Sequence, residues 1–435
     1  MEVAMDSNEL LRIRKRVDEM IVARLSGEQP ATIEDAEQLA LDVRQEAGRI
    51  VVDELGQGAL GGPAVSDAKT SPQKSECSCG RFGWFKGLRP HFVVTLCGAV
   101  RVRRAYYYCR RCDEGFCPAD GRLGIGSSSF TPRVQQEVAR LCSSLSSFAA
   151  AVETLSDLTG VSVSESSALR LVEAAGHRAE AFLDVQRESA FEGTTVCKLA
   201  PKVLYLEADG VMTPTTKGYR ETKVGVAFDQ DGKNLRYTSH LGDCQTFGER
   251  WYALAVESGL LNAMRVVILS DGAVWLRNQA QFHFPSALHI LDFWHAVEHV
   301  WEFARLAFGE GTQEAADWVA ARREELLTSN LSDVLRSIQL AGEQFPAVKA
   351  DAAQKISYFT SNADRMDYAR YLAEGLHIGS GAVESACKRV VTQRLKGAGM
   401  RWKESSAQTI ARLRCLILSM KWKQFAGTWS TQAYA

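Results

Sequence analysis

Val203-Leu-Tyr-Leu-Glu-Ala-Asp209-Gly210 and Arg265-Val-Val-Ile-Leu-Ser-Asp271-Gly272 are the two stretches whose reading decides the fold. Each is an apolar run of strand length that stops at an Asp-Gly, so each predicts a buried strand delivering one carboxylate to the rim of a sheet. Two such side chains leaving neighbouring strands form a cluster of negative oxygen ligands. Hard divalent cations such as Mg²⁺ require that arrangement, and a purely structural sheet tolerates it poorly.

Around these stretches, residues 201–308 alternate between strand and helix patterns. Strands are predicted at 203–208, 221–228, 234–241, 265–270 and 287–291, and helices at 247–259, 274–281 and from about 294. The order βββαβαβ, with Asp209 ending the first strand and Asp271 the fourth, is the layout of an α/β ribonuclease-H-like core, placed at 196–309. Residues 310–375 carry helical periodicity without a strand signal and read as a helical insertion. Segment 376–435 then supplies the closing helix of the core and a basic C-terminal helix.

The third carboxylate candidate is Glu384, in His377-Ile-Gly-Ser-Gly-Ala-Val-Glu384-Ser-Ala-Cys-Lys388-Arg389. Ser380 is a predicted N-cap, with Glu384 in or just past the first turn. Taken alone, an acid near a helix start with Lys388 one turn on is ordinary helix surface. Together with Asp209 and Asp271, on a sheet that this helix should cover, it completes a three-carboxylate site. Such a trio around two Mg²⁺ or Mn²⁺ ions suits phosphoryl transfer, with one ion activating a water or a DNA 3′-hydroxyl and the other stabilising the leaving oxygen.

Upstream of the core, residues 1–60 read as a helical hairpin, with helices at 8–26 and 33–55. The Gly-rich run Gly56–Pro63 and the polar residues to Ser75 mark a linker, assigned to 61–75. Residues 76–120 hold Cys77-Ser-Cys79 and Cys109-Arg-Arg-Cys112 at the two ends of a predicted hairpin joined at Cys97-Gly98. Folding it could bring the thiolates of Cys77, Cys79, Cys109 and Cys112 into one tetrahedral zinc site, a zinc-ribbon-like pattern with Cys117 and His91 as substitute ligands. The Arg and Tyr residues of the second strand either form a nucleic-acid platform or blunt a solvated edge. Residues 121–195 are read as helical from the Thr131-Pro132 cap onward. Helices over 148–158 and 164–175, joined at Gly160, permit a helix-turn-helix with Ser164, Ser166, Ser167 and Arg170 facing DNA, although any helical hairpin gives the same pattern.

At 435 residues, 46% hydrophobic and 24% charged, the chain has the composition of an ordinary soluble protein of two to four domains. It shows no membrane-length apolar run and no secretion signal, so a cytoplasmic, nucleoid-associated location is expected, with its eleven cysteines reduced. The net charge of −1 hides segregation: residues 86–111 hold seven bases and no acid, and residues 388–423 hold ten bases against Glu404. Lys388, Arg389, Arg394, Lys396, Arg401, Trp402 and Lys403 follow Glu384 closely and predict a phosphate-tracking surface. A following amphipathic helix is expected to place Arg412, Arg414, Lys421 and Lys423 on its polar side; a solvated helix face is the plainer meaning of such charge.

Four blocks carry a family resemblance: Leu206-Glu-Ala-Asp-Gly-Val-Met212, Leu291-Asp-Phe-Trp-His295, Gly379-Ser-Gly-Ala-Val-Glu-Ser-Ala-Cys-Lys388 and Arg394-Leu-Lys-Gly-Ala-Gly-Met-Arg-Trp402. Over nearly its whole length the chain resembles the ISKra-type bacterial insertion-sequence DDE transposases, which have a ribonuclease-H-like core. The resemblance implies catalytic roles for Asp209, Asp271 and Glu384, and the chain does not depart from the family there. It also implies that Asp292-x-x-His295, similar to a Cys/Asp-x-x-His feature of DDE transposases, positions substrate or flipped DNA. Locally, Asp292 as a helix cap with His295 in the first turn explains the same residues, and His299 reads as helix surface.

The expected activity is cleavage of transposon ends and strand transfer into target DNA, with double-stranded DNA as partner and a homodimer or larger assembly on it. A ribonuclease-H-like endonuclease or resolvase that cuts without joining, and a domesticated non-catalytic DNA-binding protein, are the alternatives.

Overall fold

The computed structural model describes residues 7–27, 30–59, 73–123 and 128–431, so most of the expected linker lies outside the described residues. The chain divides into two compact units, residues 1–177 with 421–435, and residues 178–420.

In the first unit, α1 (Ser7–Leu25) and α2 (Ile33–Ala59) are tied by ion pairs from Arg16 to Asp53 at 3.0 Å and from Arg24 to Glu46 at 2.9 Å. An antiparallel sheet follows in the order β1 (Lys74–Glu76), β2 (Phe82–Thr95), β3 (Gly98–Cys109), β4 (Glu114–Phe116). The predicted hairpin is present, but β2 begins nine residues before His91, and a bulge between Phe85 and Gly87 shifts its register. Strand alternation turns Val93, Val100 and Val102 inward, onto Val52 of α2 and Ala119 of α3 (Ala119–Leu123), and leaves Phe92 and Arg101 outside. Helix α4 (Pro132–Ser144) starts as the cap predicts, with Thr131 Oγ1 accepting the Val134 amide. Helix α5 (Phe148–Thr159) ends at Gly160, whose φ of 67° suits glycine, and α6 (Glu165–Phe191) follows, its residues from Arg178 on belonging to the second unit. Ser164 Oγ accepts the Ser167 amide at 3.3 Å, so at least one serine proposed to face DNA serves the start of α6.

In the second unit a five-stranded sheet runs β7-β6-β5-β8-β9, built from β5 (Val203–Thr215), β6 (Gly218–Asp229), β7 (Arg236–Leu241), β8 (Arg265–Ser270) and β9 (Leu288–Leu291). Strands β5, β8 and β9 are parallel, and β6 and β7 join antiparallel. Leu204, Leu206 and Ala208 point to one face, packed with Phe247, Trp251 and Leu276 from α7 (Cys244–Glu257) and α8 (Val274–His283). Period-two alternation therefore sends Glu207 and Asp209 to the opposite face. The first strand does not end at Asp209. Pairing with β8 stops at Glu207, but β6 continues to pair β5 through Gly210 to Thr215, so Asp209 stands where the parallel neighbour gives out.

Helix α9 (Phe293–Phe308) leads into an all-helical stretch of α10 (Gln313–Leu327), α11 (Leu331–Gln344), α12 (Lys349–Ser361) and α13 (Tyr368–Ala373). The chain returns through α14 (Gly381–Cys387), a π-helical stretch Lys388–Thr392, a final turn α15 (Gln393–Leu395), and α16 (Glu404–Leu418). The amphipathic expectation for α16 is corrected here. Arg412 and Arg414 are only 4% and 7% exposed. Arg412 bonds Glu180 at 2.9 Å, and Arg414 Nε donates to the Arg389 carbonyl at 2.8 Å. Lys421 and Lys423 lie beyond the end of α16; Lys421 is buried, and Lys423 is exposed as expected. The helix is covered almost all round, so its arginines serve internal contacts.

Candidate active site and metal centre

Asp209, Asp271 and Glu384 line one cleft of about 610 Å³, together with Asp292 and His295. Asp209 reaches it from the middle of β5, Asp271 from the residue after β8, and Glu384 from the first turn of α14. Two bonds fix the start of α14. The Val383 amide donates to Glu207 Oε2 at 2.8 Å, and the Ser380 amide donates to Asp292 Oδ2 at 2.7 Å. The Ser380 hydroxyl also bonds Asp292, whose other oxygen accepts the Trp294 and His295 amides at 2.6 and 3.1 Å. Asp292 is thus a buried clamp between the start of α9 and the start of Glu384's helix, the capping role together with a second one.

The carboxyl of Asp209 is held above its usual range, first by burial and then by the charge of Asp271, while the Gly210 amide, 2.6 Å from Oδ1, works against the rise. Cys387 donates its thiol to Asp209 Oδ2 at 3.8 Å and is itself pushed up by burial. Asp271 Oδ1 accepts the Ala273 amide at 2.9 Å. Gly210 makes room for a further acid: a Cβ there would lie 2.1 Å from Glu221 Oε1, and Glu221 pairs with buried Lys223 at 2.8 Å.

The facing wall was not legible beforehand. Helix α9 contributes Trp294, Trp301 and Arg305, and α10 contributes Arg323, whose guanidinium lies 5.4 Å from the Trp294 ring centre. Trp294 sits inside the Leu291–His295 block without a chemical signature of its own, and Arg323 lies in a helical stretch whose placement no local pattern reveals. Glu207 was likewise missed. It is 1% exposed and its carboxyl is pushed up to about 8 by burial. His295 Nδ1 sits 3.5 Å from Glu298. His299 is not plain helix surface: half-buried, it takes Lys355 Nζ at 2.8 Å and packs its ring 3.9 Å from that of Tyr358.

Among the predicted phosphate contacts, Lys388, Arg389, Lys396, Arg401 and Lys403 are exposed, with Arg389 also bonding the Tyr237 hydroxyl at 3.1 Å. Arg394 is corrected. It is 1% exposed, beneath Trp402 with its guanidinium 4.9 Å from the ring centre, so it supports the loop from within. Trp402 is half-buried and tied by its indole N–H to the Leu395 carbonyl at 3.1 Å.

In the first unit the sulfurs of Cys77, Cys79, Cys109 and Cys112 all lie within 4.8 Å of one another. Cys77 stands 3.8 Å from Cys112, and Cys79 3.7 Å from Cys109. Tetrahedral zinc with ~2.3 Å bonds would hold its sulfurs about 3.8 Å apart, so this set could hold a metal such as zinc. The Cys79 amide holds the Cys77 thiol down at about 7 while the neighbouring sulfurs, Cys79 first, push the Cys112 thiol up to about 12, so one sulfur of the set ionises well before another. The substitutes Cys117 and His91 lie outside the quartet, which among the described residues is the one such group of three or more ligands. No described helix is long and apolar enough to cross a membrane.

The sequence profile of an uncharacterised protein family, UPF0236, matches residues 80–430, and the chain belongs to that family. The matched stretch opens just past Cys79, so it contains Cys109 and Cys112 and omits the first cysteine pair. No curated protein matches the chain.

Proposed function

We propose that this UPF0236 member is a DNA transposase of an insertion sequence, cutting transposon ends by metal-assisted hydrolysis and joining the freed 3′-hydroxyl to target DNA. The observation that carries this reading is the convergence of Asp209, Asp271 and Glu384, from a strand, a strand end and a covering helix, on one cleft. Strand order β7-β6-β5-β8-β9, with β8 and β9 parallel to β5, supports a ribonuclease-H-like core.

The donors are carboxylates, the ligand type a hard divalent cation takes, but unlike the cysteine sulfurs their oxygens do not all lie within 4.8 Å of one another, so the set suits a pair of ions ~4 Å apart rather than a single one. Burial and the charge of Asp271 raise the Asp209 carboxyl, a rise that a bound cation would reverse. Asp209, Asp271 and Glu384 would hold two Mg²⁺ or Mn²⁺ ions, which supply Lewis acidity and an activated hydroxyl for phosphoryl transfer. Asp292 keeps the start of α14 in place, which holds Glu384 at the cleft. Arg305 and Arg323 bring cations to the facing wall for phosphates, and Trp294 offers a ring beside them. The cysteine quartet would take a structural Zn²⁺, and the partner is double-stranded DNA, with two or more copies assembled on it.

The test uses the DNA flanking the gene, as labelled duplexes with Mg²⁺. The wild type should cut at the element's ends and join pre-cleaved ends to a target, and Asp209→Ala should abolish both while DNA binding persists. Cutting without joining transfers the assignment to a ribonuclease-H-like endonuclease. Cellular activity that survives Asp209→Ala transfers it to a non-catalytic DNA-binding protein.

A further inference from the structure

A second recess in the same unit, of about 490 Å³, lies outside the carboxylate cleft. It is formed by residues 214–216, 218 and 219 at the tip of the β5–β6 hairpin and by the loop 396–401. The loop reads Lys396-Gly-Ala-Gly-Met-Arg401, and its reversal at Gly399, with φ of 75°, suits glycine. It is held from behind. The Trp402 amide donates to the Pro214 carbonyl at 3.2 Å, the Thr216 amide donates to the Trp402 carbonyl at 2.8 Å, and Arg394 fills the space under the indole.

Because the loop is fixed by these bonds, its cations are left over. Lys396 and Arg401 are exposed and enter no ion pair among the described residues. The recess has no acidic lining residue, and Tyr219, 66% exposed, stands across from the cations. The amides of Gly397, Ala398 and Gly399 donate to no protein acceptor among the described residues. Two spare cations, free amides and an exposed ring around one recess are the equipment for a sugar-phosphate backbone.

We propose that this recess is a backbone-phosphate subsite for the same DNA that enters the carboxylate cleft, setting the register of the strand to be cut. The identity of the polyanion rests on the DNA reading above, but the subsite does not depend on the chemistry at Asp209. Thr215 lies six positions beyond Asp209 on β5. At ~3.3 Å per strand residue the backbone at Thr215, on the edge of the recess, is about 20 Å from that of Asp209. DNA rising ~3.4 Å per nucleotide covers this span in about six nucleotides.

The experiment measures affinity for a labelled duplex of the flanking DNA as a function of salt, for the full chain and for Lys396→Ala with Arg401→Ala. The double variant should lower the slope of log K against log salt by about two, since each lost phosphate contact removes ~0.9. Neutral methylphosphonate linkages placed within about six nucleotides of the cut should weaken the wild type and leave the double variant unaffected. Steep wild-type binding with an unchanged slope in the variant overturns the subsite and leaves the transposase reading standing. Wild-type affinity that does not respond to salt overturns both.

Discussion

The cysteine module and the carboxylate cleft gather their ligands in opposite ways. Cys77 and Cys112 are 35 residues apart, and a single hairpin returns one pair to the other, so the four sulfurs stand within 4.8 Å by local folding. In the cleft, Asp209 touches Cys387 across 178 residues, and Glu384 arrives only after a helical stretch has been passed and α14 has been seated by Glu207 and Asp292. The first set depends on one turn being made. The second depends on a sheet, a covering helix and a buried clamp all being correct together, which makes it the more sensitive of the two to distant substitutions.

The largest effect should come from breaking the local set. Cys109→Ser with Cys112→Ser leaves two thiols, too few to hold zinc tetrahedrally, and the module's own core is only a handful of residues around Val93, Val100 and Val102. Zinc should fall from about one per chain to near zero, and limited proteolysis should cut residues 73–123 while residues 178–420 stay protected. Zinc retained in the double variant would remove the contrast between the two sites.

A smaller effect separates the cleft by pH. Glu207 is buried, and its carboxyl rises from 4.5 to about 8. Burial is the main cause, with Asp292 and Glu384 adding to it and the Val383 amide opposing it. Since folding favours the protonated form, the stabilisation is complete below the ordinary value of 4.5 and is lost as pH climbs through about 8. At ~1.4 kcal/mol per pH unit the loss is bounded at about 5 kcal/mol. Glu207→Gln keeps a carbonyl for the Val383 amide and cannot ionise. In chelator-treated protein its urea midpoint at pH 8 should exceed that of the wild type, and the two should converge in acid. Parallel curves across that range would mean Glu207 is already ionised in the fold.

Glu207 and the buried arginines show how far the sequence could be read. The identity of most strands and the helical character of the stretch after β9 followed from apolar periodicity, because strands buried between helices are near-continuous apolar runs. Glu207 was hidden by the same run: only strict alternation, with Leu206 and Ala208 on one face, places it beside Asp209. Arg394, Arg412 and Arg414 were misassigned to the surface because charge normally marks solvent, whereas Arg412 is satisfied by Glu180, a residue 232 positions away. The wall bearing Arg323 was out of reach for a similar reason. Nothing local records which side of the sheet an all-helical stretch will cover.

The smallest predicted change in stability tests whether the cleft's geometry runs through its clamp. Asp292→Ala would leave the Trp294, His295 and Ser380 amides without their acceptor, at a cost of about 2–4 kcal/mol for a lost cap and a lost buried carboxylate bond. A merely structural residue would stop there. As a positioning residue, Asp292 should also release the start of α14, so that DNA cleavage falls at temperatures where the variant is fully folded and more Mg²⁺ is needed for half-maximal rate. Asp292→Asn retains one oxygen acceptor and presents an NH₂ group where the second was, so it can cap α9 but cannot also take the Ser380 amide. It should recover most of the stability and little of the activity. Equal recovery of both would show that the cap on α9 matters and that the hold on Glu384's helix does not.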